Sequence, residues 1–177
     1  TLSTTDAFFE KRNRFFQTDF YTWQRKSRKI LVNEALQPDG GKWTFDADNR
    51  DKYPKNKQAP TCEFMDENGL IKAATKYITQ HFPNNPGSKT APFTQIDKKG
   101  YYPIDFESAE KWLTQFLQTR FTEFGVYEDA MVAGETVLHH SVLSPLINIG
   151  LLTPQQVLDE TLRYAEKASI PINSVEG

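Results

Sequence analysis

Hydrophobic residues recur at helical spacing in five parts of the chain, and long polar stretches separate them. The first part runs from Thr5 to Ile30 and predicts one long amphipathic helix with Thr4 or Thr5 as its N-cap. A second predicted helix ends at the turn residues 83–87, and an irregular stretch continues to Pro103. The apolar positions of these two helices are Phe8, Phe9, Phe16, Phe20 and Trp23, then Leu70, Ile71, Ala74, Tyr77, Ile78 and Phe82.

Three further helices are predicted in the second half. One opens at Asp105, ends near Gly125 and buries an apolar stripe. A short helix runs from about Ser141 to Ile149 and stops at Gly150. Thr153-Pro154-Gln155-Gln156 then gives the last helix a cap, a proline at its first position and a capping-box glutamine. The inward positions are Ala109, Trp112, Leu113, Phe116, Leu117 and Phe121, then Val157, Leu158, Thr161, Leu162 and Ala165.

Residues 33–66 show no sustained periodicity and are rich in proline, glycine and charge. We interpret them as a long loop, and loops of this length are usually functional or linking. Trp43 and Phe45 alternate with polar neighbours, which favours a short extended piece. In that interpretation the Trp43 side chain packs on the surface of a domain and fixes the loop there. The fold class predicted by the whole pattern is mostly α with long loops.

Composition narrows the function classes only slightly. The chain has 177 residues, enough for one good core, and its formal net charge of −2 gives no overall basic field. Any contact with DNA would need a local basic patch. The single cysteine, Cys62, excludes an internal disulfide and cannot build a zinc or iron–sulfur site from this chain alone. We expect it to be a loop or half-buried thiol.

No apolar run approaches the ~20 residues that a membrane-spanning helix needs, and no signal-like segment opens the chain. We therefore expect a soluble cytoplasmic protein without a membrane partner. Oligomeric state is left open by the sequence.

Two groups of residues are candidates for binding. Ser141 and Ser144 place two hydroxyls at the predicted start of a helix, where unpaired amides and the helix dipole favour an anion such as a cofactor phosphate. Serine there is also a common helix cap with no ligand. The second group lies at the end of the first predicted helix and suits either a solvated helix end or the phosphate backbone of DNA. It comprises Arg25, Lys26, Arg28 and Lys29.

Other chemistry is weakly represented. Glu128 and Asp129 are adjacent and point apart on most backbones, so they do not form an acid/base pair. The serines lack the Gly-x-Ser-x-Gly elbow of many hydrolases, and no P-loop or Rossmann glycine pattern occurs. We therefore assign no catalytic residue and no metal ligand within this chain.

Residues His140-Ser141-Val142-Leu143-Ser144 through Gly150 resemble the Thr-Ser-x-Leu-Ser-x-x-Leu-x-x-Gly segment of the photolyase/cryptochrome family, whose hydroxyls hold the phosphates of FAD. Four other segments resemble the bacterial deoxyribodipyrimidine photolyase-related proteins, the branch with iron–sulfur (6-4) photolyases. These segments are 20–26, 40–50, 124–131 and 150–154. They occur in the family's order and are spread over most of the chain, from residue 20 to residue 154.

The resemblance implies a set of FAD-binding residues. His140 replaces the usual leading threonine, and His139 is an equal neighbour; either could instead be a buried core histidine. Tyr127 stands where the family often has a phenol near the flavin's ribityl or phosphate end, and a core tyrosine is the alternative. The implied FAD-binding residues are Tyr127, His140, Ser141, Val142, Leu143 and Ser144.

The resemblance also implies a function and a fold. The intact protein would be a light-driven, FAD-dependent DNA photolyase, a carbon–carbon lyase that repairs UV pyrimidine photoproducts, (6-4) lesions in particular, by electron transfer from reduced flavin. UV-damaged DNA would be its partner. A cryptochrome-like blue-light photoreceptor and a flavin-free helical interaction module are the alternatives.

In this interpretation the chain is a central fragment with a partial photolyase/cryptochrome fold. Residues 1–33 would close an antenna-type region, 34–67 would form an interdomain loop, and 68–177 would open the helical FAD-binding domain. An antenna chromophore and the cysteines of a [4Fe–4S] cluster would lie outside this chain. The isolated fragment should be inactive and bind no cofactor by itself.

Overall fold

The computed structural model describes residues 2–10, 12–87, 93–95 and 98–177, with the backbone alone at residues 2–3, 93–95 and 98–99. Within these ranges the helices are α1 (Leu2–Phe9), α2 (Gln17–Arg28), α3 (Gly69–His81), α4 (Phe106–Thr119), α5 (Ser144–Asn148), α6 (Pro154–Ala168) and α7 (Ile172–Glu176). Single 3₁₀ turns occupy Asp39–Gly41, Asp46–Asp48 and Phe121–Glu123. The strands β1 (Phe93–Gln95) and β2 (Lys98–Gly100) form one antiparallel pair.

The prediction of a mostly α chain with long loops is confirmed. Contacts divide the chain into two compact units. Unit 1 comprises residues 1–45 with Glu176, and unit 2 comprises residues 46–175 with Gly177. No helix in the described ranges is both long and apolar enough to cross a bilayer.

Unit 1 contains two helices where the sequence pattern predicts one, so the single helix from Thr5 to Ile30 is wrong. α1 ends at Phe9 and α2 begins at Gln17. The break lets the ring of Phe8 lie 5.3 Å from that of Phe20 and 5.1 Å from that of Trp23. An uninterrupted helix would separate these aromatic rings along its axis. Thr4 and Thr5 lie inside α1, so neither is its cap.

The predicted extended piece around Trp43 and Phe45 is also wrong, because neither residue lies in a strand. The ammonium of Lys26 lies 5.1 Å from the ring centroid of half-buried Trp43. In the same unit the hydroxyl of Tyr21 donates to Glu176 Oε1 at 2.6 Å. Burial and this carboxylate raise the pKa of Tyr21 to about 12.

Unit 2 has its core against α4, as the apolar stripe predicts. Asp105 caps the helix, and its carboxylate and Ser108 form a reciprocal capping box. α4 ends at Thr119, before the predicted Gly125, and a 3₁₀ turn follows. The buried cluster is Cys62, Ala109, Trp112, Leu113, Phe116, Leu117, Phe121, Val137, Leu143, Leu146 and Leu152.

The last long helix has the predicted start, because Thr153 and Gln156 form a second capping box. None of its side chains is fully buried. Val157 and Ala165 pack against the core, whereas Leu158, Thr161 and Leu162 are half-buried outside that cluster. The prediction that all five face inward is therefore wrong in part.

The second predicted helix is confirmed as α3, but its apolar stripe is largely exposed. Asn68 caps it by accepting a hydrogen bond from the Ile71 amide at 3.0 Å. Ile71 is buried, whereas Leu70 is 73% and Tyr77 57% exposed. Phe82 follows the last helical residue. The stripe is therefore not a core face within the described structure.

The irregular stretch predicted up to Pro103 contains β1 and β2. In this antiparallel pair Phe93 lies opposite Gly100, and Gln95 lies opposite Lys98. That part of the prediction is wrong, because strands of three residues are too short for alternation to reveal them. Residues 88–92, 96 and 97 of the same stretch lie outside the described residues.

The short helix predicted from Ser141 begins at Ser144 instead. Pro145 explains the difference, since a proline fits the first turn of a helix but would clash and lack an N–H farther in. Gly150 follows the helix with φ of 78°, as predicted for a left-handed residue after a helix end.

Cys62 lies in a loop, as predicted, but it is 0% exposed within the unit 2 core rather than half-buried. Burial raises the pKa of its thiol. The surrounding segment 58–64 is a loop, and its Cys62 is buried in the same core cluster as residues of α4.

Candidate functional site

The segment from His140 to Ser144 joins a turn to α5 and carries both predicted hydroxyls. Ser141 is half-buried, whereas Ser144 is exposed and is the first residue of α5. Between them, Val142 has φ of 54°, and Leu143 has φ of −90° and ψ of −19°. A left-handed residue followed by a right-handed one turns successive N–H groups to the same side, an arrangement called a nest that binds anions.

The donors of this nest are available. Within the ranges that the structure describes, the amides of residues 141–144 and the two serine hydroxyls make no hydrogen bond. α5 has no side-chain cap, so the interpretation of these serines as caps is wrong. The segment therefore offers both backbone N–H groups and hydroxyls to an anion. These are the groups on which a cofactor phosphate depends.

The nest is held in place by apolar neighbours. Leu143 is 5% and Leu146 0% exposed in the unit 2 core, and Val142 packs against that core. The left-handed backbone of Val142 and of Leu138, with φ of 49°, costs about 1–3 kcal/mol at each position. Such a conformation persists only where the surrounding packing and hydrogen bonds determine it.

His140 is bonded to the backbone on both sides of its ring. Nδ1 lies 2.8 Å from the carbonyl oxygen of Val137, and Nε2 lies 2.8 Å from that of Glu128. The imidazole thus joins two points of the loop that leads to the nest. Both ring nitrogens therefore face protein carbonyls rather than a ligand.

Two side chains of the α4 region hold the first carbonyls of the segment. Trp112 Nε1 donates to the carbonyl of Ser141 at 3.3 Å. Arg120 Nε donates to the carbonyl of His140 at 3.2 Å. Both side chains are buried. The backbone before the nest is therefore fixed by side chains from a different part of the chain.

A buried amide network joins two of the segments singled out in the sequence. Asn49 is 2% exposed, and its Nδ2 donates to Glu128 Oε2 at 3.0 Å and to the carbonyl of Asn173 at 3.2 Å. Asn173 Nδ2 donates in return to Asn49 Oδ1 at 3.0 Å. Segment 40–50 thereby contacts residue 128, whose carbonyl faces His140.

Tyr127 lies in a compact group that we call the tyrosine–histidine cluster: Tyr53, Lys57, Glu123, Tyr127 and His139. The ring of Tyr127 lies 4.8 Å from that of Tyr53 and 5.3 Å from that of His139. Lys57 pairs with Glu123, and its ammonium lies 4.8 Å from the centroid of the Tyr127 ring. Tyr127 is half-buried there rather than free at the surface.

His139 is the buried member of this cluster, at 3% exposure. Its Nε2 lies 3.3 Å from the hydroxyl oxygen of Tyr53, which itself donates to the carbonyl of Gln58 at 3.2 Å. These bonds fit a neutral ring with its proton on Nε2. Nδ1 is buried and has no partner at normal hydrogen-bond distance and angle, although the Arg120 carbonyl is close enough to act on the ring electrostatically.

Protonation of His139 is expected to destabilise unit 2. Burial lowers the pKa of this imidazole below 6.5, while Glu123 and the Arg120 carbonyl oppose the shift only in part. Below that pH the unfolded chain binds more protons than the folded one, so the free energy of unfolding should fall as pH drops from 6.5 through the lower folded pKa. Denaturant titrations across this range measure the effect. His139→Gln, which keeps a donor for Tyr53, should remove it, and an equal slope in both proteins would contradict the assignment.

The four predicted DNA-binding residues are not equivalent. Arg25 is 4% exposed, and its guanidinium donates to the carbonyls of Ile30 at 3.3 Å, Leu31 at 2.5 Å and Trp43 at 3.0 Å. Lys26, Arg28 and Lys29 are exposed at the end of α2. Residues 1–45 carry eight Lys and Arg against five Asp and Glu, so this part of the chain is basic although the whole chain is net negative.

Sequence reasoning missed several residues of these groups. Tyr53, Lys57 and Glu123 were not singled out, and Tyr53 is 86 positions from its partner His139. Arg120 was missed because an arginine after an amphipathic helix resembles an ordinary solvated helix end. Asn49 lies within a segment that the resemblance had marked, so a signal for it was present. No group of three or more His, Cys, Asp or Glu in the described part of the chain could hold a metal ion.

Comparison with known proteins agrees with the segments that carry the resemblance. Residues 1–93 match the family described as deoxyribodipyrimidine photo-lyase-related protein. A protein of Agrobacterium fabrum named (6-4) photolyase is 30% identical over 158 residues, which are 89% of this chain and 29% of that protein. An uncharacterised protein of Acanthamoeba polyphaga mimivirus is 42% identical over 53 residues, 29% of this chain and 41% of the viral protein.

The chain therefore spans under a third of the Agrobacterium protein and under half of the viral one. The family match covers more than half of the chain and includes the segments 20–26 and 40–50 that carry part of the resemblance. This chain belongs to the deoxyribodipyrimidine photo-lyase-related protein family.

Proposed function

We propose that the chain is part of a light-driven, FAD-dependent DNA photolyase that acts on UV pyrimidine photoproducts, (6-4) lesions in particular. The observation that carries this proposal is the nest at residues 141–144, with free amides and two free hydroxyls in a chain of this family. The name of the Agrobacterium relative supports the choice of lesion. In this proposal residues 1–33 close an antenna-type region, 34–67 connect it, and 68–177 begin the FAD-binding domain.

The residues present fit a flavin dinucleotide at its phosphates. The hydroxyls of Ser141 and Ser144 and the amides of Val142 and Leu143 would hold the diphosphate, because they are donors without protein partners. When bound, the reduced flavin supplies the electron that repair of the lesion requires. The chain's contribution is to fix the cofactor's phosphate end. Tyr127 and His140 would support this wall of the site from the loop before it.

DNA binding is proposed for the exposed end of α2. Lys26, Arg28 and Lys29 would contact phosphates in a sequence-independent and salt-dependent way. Arg25 would act indirectly, because its guanidinium holds the backbone at Ile30, Leu31 and Trp43. A [4Fe–4S] cluster and an antenna chromophore, if the protein has them, are proposed to be bound by sequence outside residues 1–177.

Repair of lesion-bearing oligonucleotides under blue light tests the proposed activity. The complete gene product that contains this chain should bind FAD and restore a (6-4) lesion only when illuminated. Flavin binding and photoreduction without repair would instead indicate a cryptochrome-like photoreceptor. Protein purified under native conditions without any flavin absorbance would indicate a flavin-free interaction module.

The double substitution Ser141→Ala and Ser144→Ala should lower FAD affinity by about 100-fold or more, since each hydrogen bond to a charged phosphate contributes about 1.5–3 kcal/mol and two are removed. The measurement is flavin absorbance per protein after purification, followed by titration of flavin-depleted protein with FAD. Ser27→Ala, at an exposed position of α2, is the matched control and should leave FAD affinity unchanged. Full FAD occupancy in the double variant would remove the serines from the cofactor site.

A further inference from the structure

Arg120 has an unusual environment for a charged side chain. It is 1% exposed, and its Nη2 is buried with no hydrogen-bond partner. Its other donors contact neutral acceptors, namely the carbonyl of His140 at 3.2 Å and Gln115 Oε1 at 2.9 Å. Within the described structure no carboxylate pairs with its guanidinium, and only burial and the Cys62 thiol act on its pKa. A buried arginine remains charged, so this positive charge is left without a protein counter-ion.

This charge is attached to the backbone that leads into the nest. Arg120 Nε holds the carbonyl of His140, and the free amides begin at the next residue, Ser141. Trp112, in α4, donates to the following carbonyl, that of Ser141, and Arg120 is the residue directly after the same helix. These two bonds fix consecutive peptide groups between the left-handed residues Leu138 and Val142. The nest therefore depends on α4 for its orientation.

An uncompensated charge in a low-dielectric interior acts over a longer distance than the same charge in water. The field of the Arg120 guanidinium adds to that of the amides at 141–144, and both favour a negatively charged ligand at the same place. An exposed arginine at this position would be screened by solvent and counter-ions. Burial thus explains how a side chain that does not face the ligand could still increase its affinity.

We propose that Arg120 is a positioning residue for the anion site: it orients the nest through the carbonyl of His140, and its positive charge adds to the field of the nest amides. This proposal rests on the proposed function only for the identity of the anion, the diphosphate of FAD. It predicts that Arg120 affects the binding of the phosphate-bearing flavin more than that of a flavin without phosphate. A role limited to stability of the fold would weaken both ligands alike.

The experiment uses flavin-depleted preparations of the complete gene product. FAD and riboflavin are titrated separately into wild type and Arg120→Met, and the ratio of their affinities is compared. We expect Arg120→Met to reduce the preference for FAD at least about tenfold, as expected for loss of a charge-assisted contribution. Arg163→Met, at a guanidinium on the exposed surface of α6, is the matched control and should leave the ratio unchanged.

An unchanged ratio in folded Arg120→Met, or an equal change in Arg163→Met, would overturn the proposal. Should Arg120→Met fail to fold, Arg120→Lys decides: it keeps the charge but loses the planar donor to the His140 carbonyl. A fall of at least about threefold in the ratio supports the positioning role, and an unchanged ratio contradicts it. Wild type that binds FAD no more tightly than riboflavin would instead reject the proposed phosphate site itself, which separates the two failures.

Discussion

Gly125→Ala is expected to lower the free energy of unfolding by about 1–3 kcal/mol or more, as overpacking of a tight contact does. A Cβ on Gly125 would lie 2.7 Å from the amide nitrogen of Ser174 and 2.8 Å from the carbonyl carbon of Asn173. Backbone atoms cannot move aside by a rotamer change. The substitution would also strain the bond from the Gly125 amide to Ser174 Oγ at 2.9 Å. Equilibrium unfolding in denaturant measures the loss.

Gly69→Ala is the matched control for this prediction. Gly69 is the first residue of α3, and a Cβ there would meet no atom within 4 Å. The substitution should leave stability unchanged or raise it by up to about 1 kcal/mol, because alanine favours a helix over glycine. Equal destabilisation by both substitutions would show that close packing at Gly125 is not the cause.

Leu146→Ala should have a comparable or larger effect, with a loss of about 2–5 kcal/mol in the free energy of unfolding. Leu146 is 0% exposed and lies in α5, directly after the nest. Removal of its side chain leaves a cavity beneath the backbone that presents Ser141 and Ser144. We therefore expect flavin retention to fall together with stability, whereas a surface substitution would change neither.

Ile149→Ala provides that surface comparison, since Ile149 is 67% exposed just after the same helix. Its effect should stay within about 0.5 kcal/mol. Thermal or denaturant unfolding of both variants, with flavin absorbance recorded on the same samples, checks the prediction. It would be contradicted by a Leu146→Ala protein as stable as Ile149→Ala.

The elements that the sequence predicts correctly are those determined by neighbouring residues. Asp105 with Ser108, and Thr153 with Gln156, form capping boxes within one helical turn, so their pattern is complete in the sequence. The break between α1 and α2 depends instead on which aromatic rings meet across the turn. Hydrophobic spacing alone continues through that break, and therefore it predicts one helix.

In the candidate site, too, the features determined by neighbouring residues could be predicted, and those that depend on distant contacts could not. The positions of Ser141 and Ser144 could be identified from a short motif, and the resemblance supplied the expectation of a phosphate. The left-handed backbone of Val142 could not be predicted, because a β-branched residue disfavours that region and only the surrounding packing imposes it. The contact of Arg120 with His140 likewise joins residues that no local pattern relates.

The buried Cys62 is a native chemical probe for transient opening of the unit 2 core. It is the single cysteine, it is 0% exposed, and burial raises the pKa of its thiol, so a thiol reagent meets no reactive thiolate in the closed core. Labelling under native conditions must then proceed through molecules whose unit 2 core has transiently opened. The labelling rate of this native cysteine therefore measures how often the unit 2 core, which supports the nest, opens. No engineered reporter is needed.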